Sequence, residues 1–411
     1  MTLEPPADGP ERPSDDGEGP PRGHPRPPYD LEALRRRIPL LEQAIPMNHC
    51  SQAPQTGATR AAAIRYLDSW NTDGMDWDGW IAEVEAARGC FARLIGADPD
   101  DVAVFSSVSH ATAAVASCVD LLSDRTSRRV VALTEAEFPT VAHVWKAREA
   151  RGTPLRWIPV DREAHRVREE AVEAALDEGV LLLSAAHGYY QSGALLDLPR
   201  VLRAAREAGV ITYVDAYQSL GTAPMDVKAL GVDLLASGNL KFLLGVPGIA
   251  FLYVRPEIAE RLEPAVTGWF GRADPFAFDP LRDVDLDWAP GARRFDSGTP
   301  PILPAYIARA GMELLLDVGL PAVAAWTRTL AGRLIEGGRE RGFDLMGPAD
   351  PVRRAPTVAF RVPDAHGVEE AMRLRGVIAS ARGPAIRLAP HYHSSIADVD
   401  RALEVLGAAV G

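Results

Sequence analysis

Short apolar runs alternate with segments of helical spacing through the middle of the chain. Arg129–Leu133, Val180–Ser184 and Val210–Val214 have the length and the aliphatic content of buried strands. Between these runs, Thr140–Ala150 has a helical pattern, and apolar residues recur every three or four positions along Leu198–Ala205. The hydrophobic pattern therefore predicts strands and helices in alternation.

This alternation is typical of the α/β class, in which a mainly parallel, mixed sheet is flanked by helices. We expect a large domain of this kind in the middle of the chain. Towards the C-terminus, the helix Pro304–Leu316 and the strand Thr357–Arg361 predict a smaller α+β domain. Ligands of open parallel sheets bind beyond the carboxyl ends of the strands. Asp215 falls at such an end, directly after Val214.

Composition and charge narrow the class of protein. Of the 411 residues, 47% are hydrophobic and 24% are charged, as in an ordinary globular protein. A formal net charge of −12 argues against nucleic acid or an anionic membrane as partners. Cys50, Cys90 and Cys118 are too few and too scattered for a disulfide framework or a zinc cluster, so no metal is expected. With no membrane span and no secretory signal visible, we expect a cytoplasmic protein.

One lysine stands out against the composition. Only three of the 44 basic residues are lysines, and Lys241 lies among apolar residues and glycines with no acidic neighbour in sequence. A desolvated lysine can lose its proton and attack an aldehyde, whereas arginine stays protonated. The alternative from this segment alone is a lysine at a strand end whose amine reaches solvent.

A carboxylate and an amide accompany this lysine. Asp215 follows a predicted buried strand, Gln218 comes three residues later, and Lys241 comes 26 residues after Asp215. A pyridine-aldehyde cofactor requires an amine to form an imine and a carboxylate to keep its ring nitrogen protonated. Taken singly, Asp215 could instead cap a helix. Together the residues favour the cofactor site.

With these residues the sequence resembles the class V aminotransferase family of pyridoxal-phosphate enzymes with fold type I, which includes kynureninases, cysteine desulfurases, isopenicillin N epimerase-like proteins and C–S lyases. The resemblance runs from about residue 45 to the C-terminus. Besides Asp215 and Lys241, the motifs that carry it are Asn48–Ser51, Ser109–Thr112, Glu137–Thr140, Thr267–Gly271, Ser297–Pro301 and Ala385–His391.

The resemblance implies pyridoxal 5'-phosphate as the cofactor, bound covalently by Lys241 opposite Asp215. Ala111 and Thr112 would hold its phosphate, because backbone N–H groups at a helix start and hydroxyls suit a dianion. The ring of Phe138 would stack on the pyridine. Gln218, already noted, would donate a hydrogen bond to the phenolic oxygen.

The resemblance also implies substrate and subunit contacts. Arg387 would hold the carboxylate of an amino-acid substrate bidentately. Asn48 and His49, in the N-terminal segment, would form part of the substrate pocket. In kynureninase-like members the positions of Trp269 and Thr299 reach the phosphate of the neighbouring subunit, which implies a homodimer with shared active sites.

Tyr189 lies in a segment that approaches the cofactor's phenolic side in relatives. It could serve as a substrate-facing donor, and core packing is the alternative. His391 and His393 follow Arg387 closely, and for them we favour a structural role.

Composition and the resemblance together predict the domain organisation. Residues 1–28, rich in proline, glycine and charge, predict a disordered tail. Residues 29–60 would be an N-terminal segment packed with the small domain. Residues 61–300 would form the large cofactor-binding domain, and residues 301–411 the small domain.

Two departures from the family pattern bear on the reaction. Leu240 stands where relatives have His, Tyr or Arg before the lysine, so one phosphate contact is missing, and Asn239 is a candidate to replace it. Desulfurases carry a catalytic cysteine just upstream of the carboxylate-binding arginine, but Ala379–Pro384 contains none. A persulfide-forming desulfurase is therefore disfavoured. Cys50 could face the pocket or fill space in the core.

The first hypothesis for the reaction is cleavage of a Cβ bond of an α-amino acid, a C–S or C–C lyase of kynureninase-like type. The alternatives on the same scaffold are transamination, epimerisation and decarboxylation. A third possibility, from a different class, is a catalytically idle interaction module, which the retention of Lys241, Asp215, Gln218 and Arg387 disfavours.

Overall fold

A seven-stranded sheet forms the centre of the computed structural model, which describes residues 25–124, 126–278 and 286–411. The predicted tail therefore lies, up to residue 24, outside the described residues. In chain order the strands of this sheet and of its surroundings are β1 (Ile45–Pro46), β2 (Val102–Phe105), β3 (Val130–Thr134), β4 (Leu155–Ile158), β5 (Val160–Asp161), β6 (Arg166–Val167), β7 (Val180–Ala186), β8 (Ile211–Asp215), β9 (Leu234–Gly238) and β10 (Ala250–Val254).

The strand order in this central sheet is β2-β10-β9-β8-β7-β3-β4. Neighbours from β9 to β4 are parallel, and β10 runs antiparallel to both β9 and β2. All seven residues of β7 are buried, as are four of the five in β8. A strand covered on both faces needs such a continuous apolar run, which explains the pattern seen in the sequence.

Helices cover both faces of the sheet. Those before and within the large sheet region are α1 (Leu31–Arg35), α2 (Gly57–Asp73), α3 (Trp77–Ile95), α4 (Val108–Ser117), α5 (Val119–Asp124), α6 (Pro139–Glu149), α7 (Glu169–Ala175), α8 (Leu198–Glu207), α9 (Val227–Leu230) and α10 (Pro256–Ala259). Residues of α3 and α8 pack on one face, around Val214, and those of α4 and α6 on the other, around Tyr213.

The C-terminal part builds a second, antiparallel sheet. Its helices are α11 (Ile302–Val318), α12 (Leu320–Glu340), α13 (Ala365–Arg373) and α14 (Ile396–Val410), and its strands are β11 (Asp344–Met346), β12 (Val358–Arg361), β13 (Val377–Ile378), β14 (Ser380–Arg382) and β15 (Ala385–Leu388). The order of this small sheet is β11-β12-β15-β14. Strand β1 pairs in parallel with β13, so the N-terminal segment contacts this region.

The fold class expected from the sequence is confirmed as a mixed α/β architecture with a mostly parallel central sheet flanked by helices. The predicted strands and helices agree with the structure to within about two residues at their ends. Asp215, expected just after a strand, is the last residue of β8. The domain boundaries at residues 60 and 300 stay predictions.

None of the helices in the described part of the chain is both long and apolar enough to cross a membrane.

The turn after β9 is held close to the segment that follows β8. Gly221 has a φ of +93°, and a Cβ added there would lie 2.4 Å from the carbonyl oxygen of Phe242, the residue after Lys241. A side chain at position 221 would therefore both strain the backbone and push the lysine turn away.

We expect Gly221→Ala to lower the free energy of unfolding by about 3 kcal/mol, since backbone strain and overpacking add. Gly152 is the matched control, because it has a φ of +98° with nothing within 4 Å of an added Cβ. Gly152→Ala should cost only the strain, about 1–2 kcal/mol. Urea unfolding of both variants measures the difference, and equal losses would show that the close approach to Phe242 carries no cost.

Candidate active site

A cavity of about 340 Å³ lies at the carboxyl ends of β8 and β9, beside the first turn of α4. Residues of the N-terminal segment and of the small sheet close it from the other side, among them Cys50 and Ser51. Five of the predicted site residues line it, namely Phe138, Asp215, Gln218, Lys241 and Arg387. Its place agrees with the crevice rule for parallel sheets.

The amine of Lys241 projects between two aromatic rings. Its Nζ lies 4.1 Å from the centroid of the Tyr217 ring and 5.3 Å from that of Phe138. Burial lowers the pKa of Lys241 to about 8, and the charge of Asp215 only partly opposes this. A substantial fraction of the amine is therefore neutral, and nucleophilic, at mildly alkaline pH.

Asp215 supplies the carboxylate of the cavity. It is 6% exposed, and its Oδ1 accepts a hydrogen bond from the backbone N–H of Tyr217 at 2.8 Å. Burial raises the pKa of Asp215, while the Tyr217 amide and the charge of Lys241 counteract the rise. The carboxylate is thus fixed by the backbone and needs a positive partner in the cavity.

A second carboxyl lies behind Asp215, and the sequence analysis missed it. Glu137 is 4% exposed and accepts a hydrogen bond from Ser184 Oγ at 2.8 Å, and Ser184 in turn accepts one from the indole of Trp145. Burial, and then the charge of Asp215, raise the pKa of Glu137 well above its ordinary value. Burial and the neighbouring charge thus favour the protonated form of Glu137, and this favours the negative charge on Asp215. In the sequence Glu137 lies within the Glu137–Thr140 motif but looks like an ordinary surface acid.

Phe138 and Gln218 line the same cavity as Asp215. Phe138 caps α6, is 37% exposed, and meets the ring of Tyr190 edge-on at 5.3 Å. Its free face can receive a flat ring. Gln218 donates from Nε2 to the carbonyl oxygen of Cys50 at 3.1 Å, which ties the segment after β8 to the N-terminal segment.

The first turn of α4 faces the cavity, but Ala111 and Thr112 do not. Both are fully buried, and the Thr112 hydroxyl lies 2.6 Å from the hydroxyl of Tyr213 and donates to the backbone of its own helix. Ser107 is the N-cap, so Ser107 and Ser109 line the cavity at the start of the helix, while positions 111 and 112 lie about one turn further along the axis, inside the core. The hydroxyls and helix amides that can receive an anion therefore lie three to four residues earlier than expected.

The two residues that precede Lys241 lie in different surroundings. Leu240 lines the cavity, whereas Asn239 is fully buried behind it. Both polar atoms of the Asn239 amide lack a hydrogen-bond partner within the described part of the chain. The structure thus does not bring Asn239 to the cavity wall, and Leu240 offers an apolar surface there.

Arg387, on β15, is held firmly at the cavity wall. Its guanidinium donates to the carbonyl oxygens of Tyr190 at 2.6 Å and Ser380 at 3.4 Å, and to the hydroxyls of Ser51 at 3.0 Å and Ser380 at 2.7 Å. The two hydroxyls are themselves 2.7 Å apart, so one of their protons is left for another acceptor. These contacts use four of the five N–H groups of Arg387. The remaining N–H of Nη1 and the free hydroxyl proton can bind a carboxylate in a fixed orientation.

Asn48, His49 and Tyr189 do not line the cavity. Asn48 forms an isolated parallel β-bridge with Ala389. His49 donates from Nδ1 to the carbonyl oxygen of Ala389 at 3.1 Å. The other ring nitrogen of His49 lies 3.0 Å from Nε2 of His393, within a fully buried histidine cluster. Burial lowers the pKa of His49 well below its ordinary value, so it stays neutral.

The Tyr189 hydroxyl donates to the side chain of Gln191 at 2.9 Å. The neighbouring Tyr190 is the residue whose backbone and ring meet Arg387 and Phe138.

Trp269 and Thr299 lie away from this chain's own cavity. Trp269 packs against Phe276 and Phe278 with ring centroids 5.7 and 5.5 Å apart, and Thr299 is exposed. Their expected contact with a neighbouring subunit stays a prediction.

The donor set suits pyridoxal phosphate and not a metal. One wall offers an amine with a pKa lowered to about 8 and a buried carboxylate, a ring face stands beside them, and the start of α4 offers amides and hydroxyls for a phosphate. Among residues 25–124, 126–278 and 286–411, no group of three or more His, Cys, Asp or Glu side chains is placed to hold a metal ion.

Comparisons with known proteins place this site in a family. The model of the aminotransferase class-V family matches residues 76–388. The chain is 33% identical over 378 residues to the uncharacterised aminotransferase YcbU of Bacillus subtilis, covering 92% of this chain and 97% of the relative. It is 30% identical over 392 residues to a kynureninase of Deinococcus radiodurans, covering 92% and 88%.

A solved structure shares the fold. The apo cysteine desulfurase of Thermococcus onnurineus superimposes with a TM-score of 0.81 at 22% identity, covering 94% of this chain and 99% of that one. The family match spans most of the chain and includes Asp215, Lys241 and Arg387. The chain therefore belongs to the aminotransferase class-V family of pyridoxal-phosphate-dependent enzymes with fold type I.

Proposed function

We propose that this enzyme cleaves a bond at Cβ of an α-amino acid, releasing a thiolate or a similar leaving group. The observation that carries the proposal is the pairing of the buried, readily deprotonated Lys241 with Asp215 in one cavity, without a cysteine in Ala379–Pro384 to receive the leaving group. The kynureninase among the relatives supports a Cβ reaction over the other chemistries of the scaffold.

When bound, pyridoxal phosphate supplies an electron-withdrawing ring that stabilises negative charge at Cα. Lys241 would hold it covalently, and Asp215 would keep its ring nitrogen protonated, because the raised pKa of Glu137 favours the negative charge on Asp215. Phe138 would cover the ring face. Ser107 and Ser109, with the amides of α4, would receive the phosphate in place of Ala111 and Thr112.

The chain's own groups also account for substrate handling. The guanidinium of Arg387, with the hydroxyls of Ser51 and Ser380, would bind the α-carboxylate and so direct Cα towards Lys241. Once displaced by the substrate amine, Lys241 Nζ would take the Cα proton. The edges of Phe138 and Tyr190 would exclude water from this side.

A second candidate is transamination, favoured by one observation. The relative at 33% identity over 378 residues carries the name aminotransferase. Both reactions use the same Lys241 and Asp215, so the products must distinguish them. Epimerisation and decarboxylation at the same centre are further alternatives without a favouring observation.

The product test uses L-cysteine S-conjugates, cofactor-loaded enzyme and mass analysis. We expect the thiol, pyruvate and ammonia, because the fragment left after Cβ cleavage hydrolyses. Lys241→Ala should lose this activity by at least about 10³-fold, since nucleophile and base are removed together. Lys146→Ala, at an exposed lysine paired with Glu149, is the matched control and should keep it.

An intact amino acid after prolonged incubation with loaded enzyme would contradict Cβ cleavage. Accumulation of the amine form of the cofactor, with a keto acid that retains its Cβ substituent, would establish the transamination candidate instead.

We further propose that the enzyme acts as a homodimer. Trp70, Met75 and Phe278 are 57%, 66% and 71% exposed. A series of ring contacts connects Trp70 to Phe278, through Tyr66, Trp80, Trp77 and Trp269. Large apolar side chains clustered at a surface are typical of a subunit interface. The dimer would bring Trp269 and the exposed Thr299 to the partner's cavity, as the sequence resemblance predicts.

Light scattering after size exclusion should give twice the mass of one chain. Phe278→Glu should shift the protein towards the monomer and weaken cofactor binding, because it places a charge in the interface. Val352→Glu is the control, as Val352 is also exposed, at 62%, but lies in the C-terminal part. A wild-type monomer that binds the cofactor fully would rule out shared sites.

A further inference from the structure

A second arginine lies on the same wall of the cavity as Arg387. In the small sheet Arg387 pairs with Ser380, and Arg382 pairs with Ala385. Side chains of directly paired residues, and of residues two apart on one strand, share a face. Arg382 is therefore the diagonal neighbour of Arg387 on the face towards the cavity, and both line it. Diagonal neighbours are about 7–8 Å apart, which leaves room for two separate anions.

The two arginines differ in how their charges are satisfied. Arg387 is fully buried and held by Tyr190, Ser51 and Ser380. Arg382 is exposed, and its guanidinium makes no hydrogen bond or ion pair with any part of the chain that the structure describes. Its charge nevertheless reaches the centre of the cavity, since Arg387 and Arg382 both contribute to lowering the pKa of Lys241.

The charges that line the cavity do not balance. Lys241, Arg382 and Arg387 face a single carboxylate, Asp215. The amine and Asp215 are engaged by the cofactor under the proposed function, and the α-carboxylate takes Arg387. The phosphate goes to the α4 turn, on the sheet side of the cavity. The guanidinium of Arg382 therefore faces the substrate side of the cavity, and none of these groups is its partner.

We propose that Arg382 is a second anion-binding residue, and that the amino-acid substrate carries a further carboxylate or comparable anion on its side chain. This inference rests on the proposed function, because it takes Arg387 for the α-carboxylate. Arg382 would select acidic amino acids over neutral ones of the same length.

The test measures binding of unreactive acids to the cofactor-loaded enzyme by calorimetry. Succinate, glutarate and adipate are each compared with the straight-chain monocarboxylate of equal carbon number. Wild type should bind at least one dicarboxylate about tenfold more tightly than its monocarboxylate, the size of one charge-assisted hydrogen-bond pair. Arg382→Gln should abolish the preference, because the second carboxylate loses its partner while Arg387 still binds the first.

Arg373→Gln is the matched control, because it removes an exposed positive charge from α13 outside the cavity and should keep the preference. No preference at any of the three lengths would overturn the inference. Loss of cofactor affinity in Arg382→Gln would also overturn it, since Arg382 would then serve the phosphate.

Failure of the proposed function is distinguishable from these outcomes. If the protein does not bind the cofactor, the bound-cofactor absorbance is absent before any acid is added. If the cofactor binds but the proposed reaction does not occur, the amino acid stays unreacted in the product test. A dicarboxylate preference that depends on Arg382 would still stand in the second case.

Discussion

The site depends on one amine kept out of water within reach of one buried carboxylate. Burial costs the ammonium form its hydration, and this lowers the pKa of Lys241 to about 8 although Asp215 favours the charged form. Desolvation is the larger effect, and it makes the lysine a nucleophile. Burial and the charge of Asp215 raise the pKa of Glu137 behind it, and this favours Asp215 as the charged carboxylate of the two. The rest of the fold supplies the walls that keep water from the amine and so keep its pKa low.

Much of this could be predicted from the sequence because the relevant residues follow directly from strands. The apolar runs fix β7 and β8, and a parallel sheet brings their carboxyl ends to one edge, so Asp215 and Gln218 reach the cavity. Lys241 was identifiable as an unpaired amine in an apolar turn. Phe138 and Arg387 were found through their motifs, and both line the cavity.

What could not be predicted depends on position along a helix or on contacts across the fold. Ala111 and Thr112 lie about one turn further along α4 than Ser107 and Ser109, and that turn takes them from the cavity end of the helix into the core. Glu137 looks like an ordinary surface acid until Ser184 and Trp145 surround it. The significance of Arg382 required the register of the small sheet, and any role of Trp269 depends on a second chain.

Labelling the amine tests most directly whether Lys241 is the desolvated nucleophile of the cavity. Apoprotein is mixed with pyridoxal phosphate at a series of pH values, reduced with borohydride, and digested for peptide mapping. Below pH 8 the amine is mostly protonated and above it mostly neutral, so the initial rate of capture should rise with pH and reach half its maximum near pH 8. The label should be found on Lys241 alone. A label on Lys146 or Lys228, or a rate that rises only above about pH 10 as for an ordinary lysine, would contradict the account.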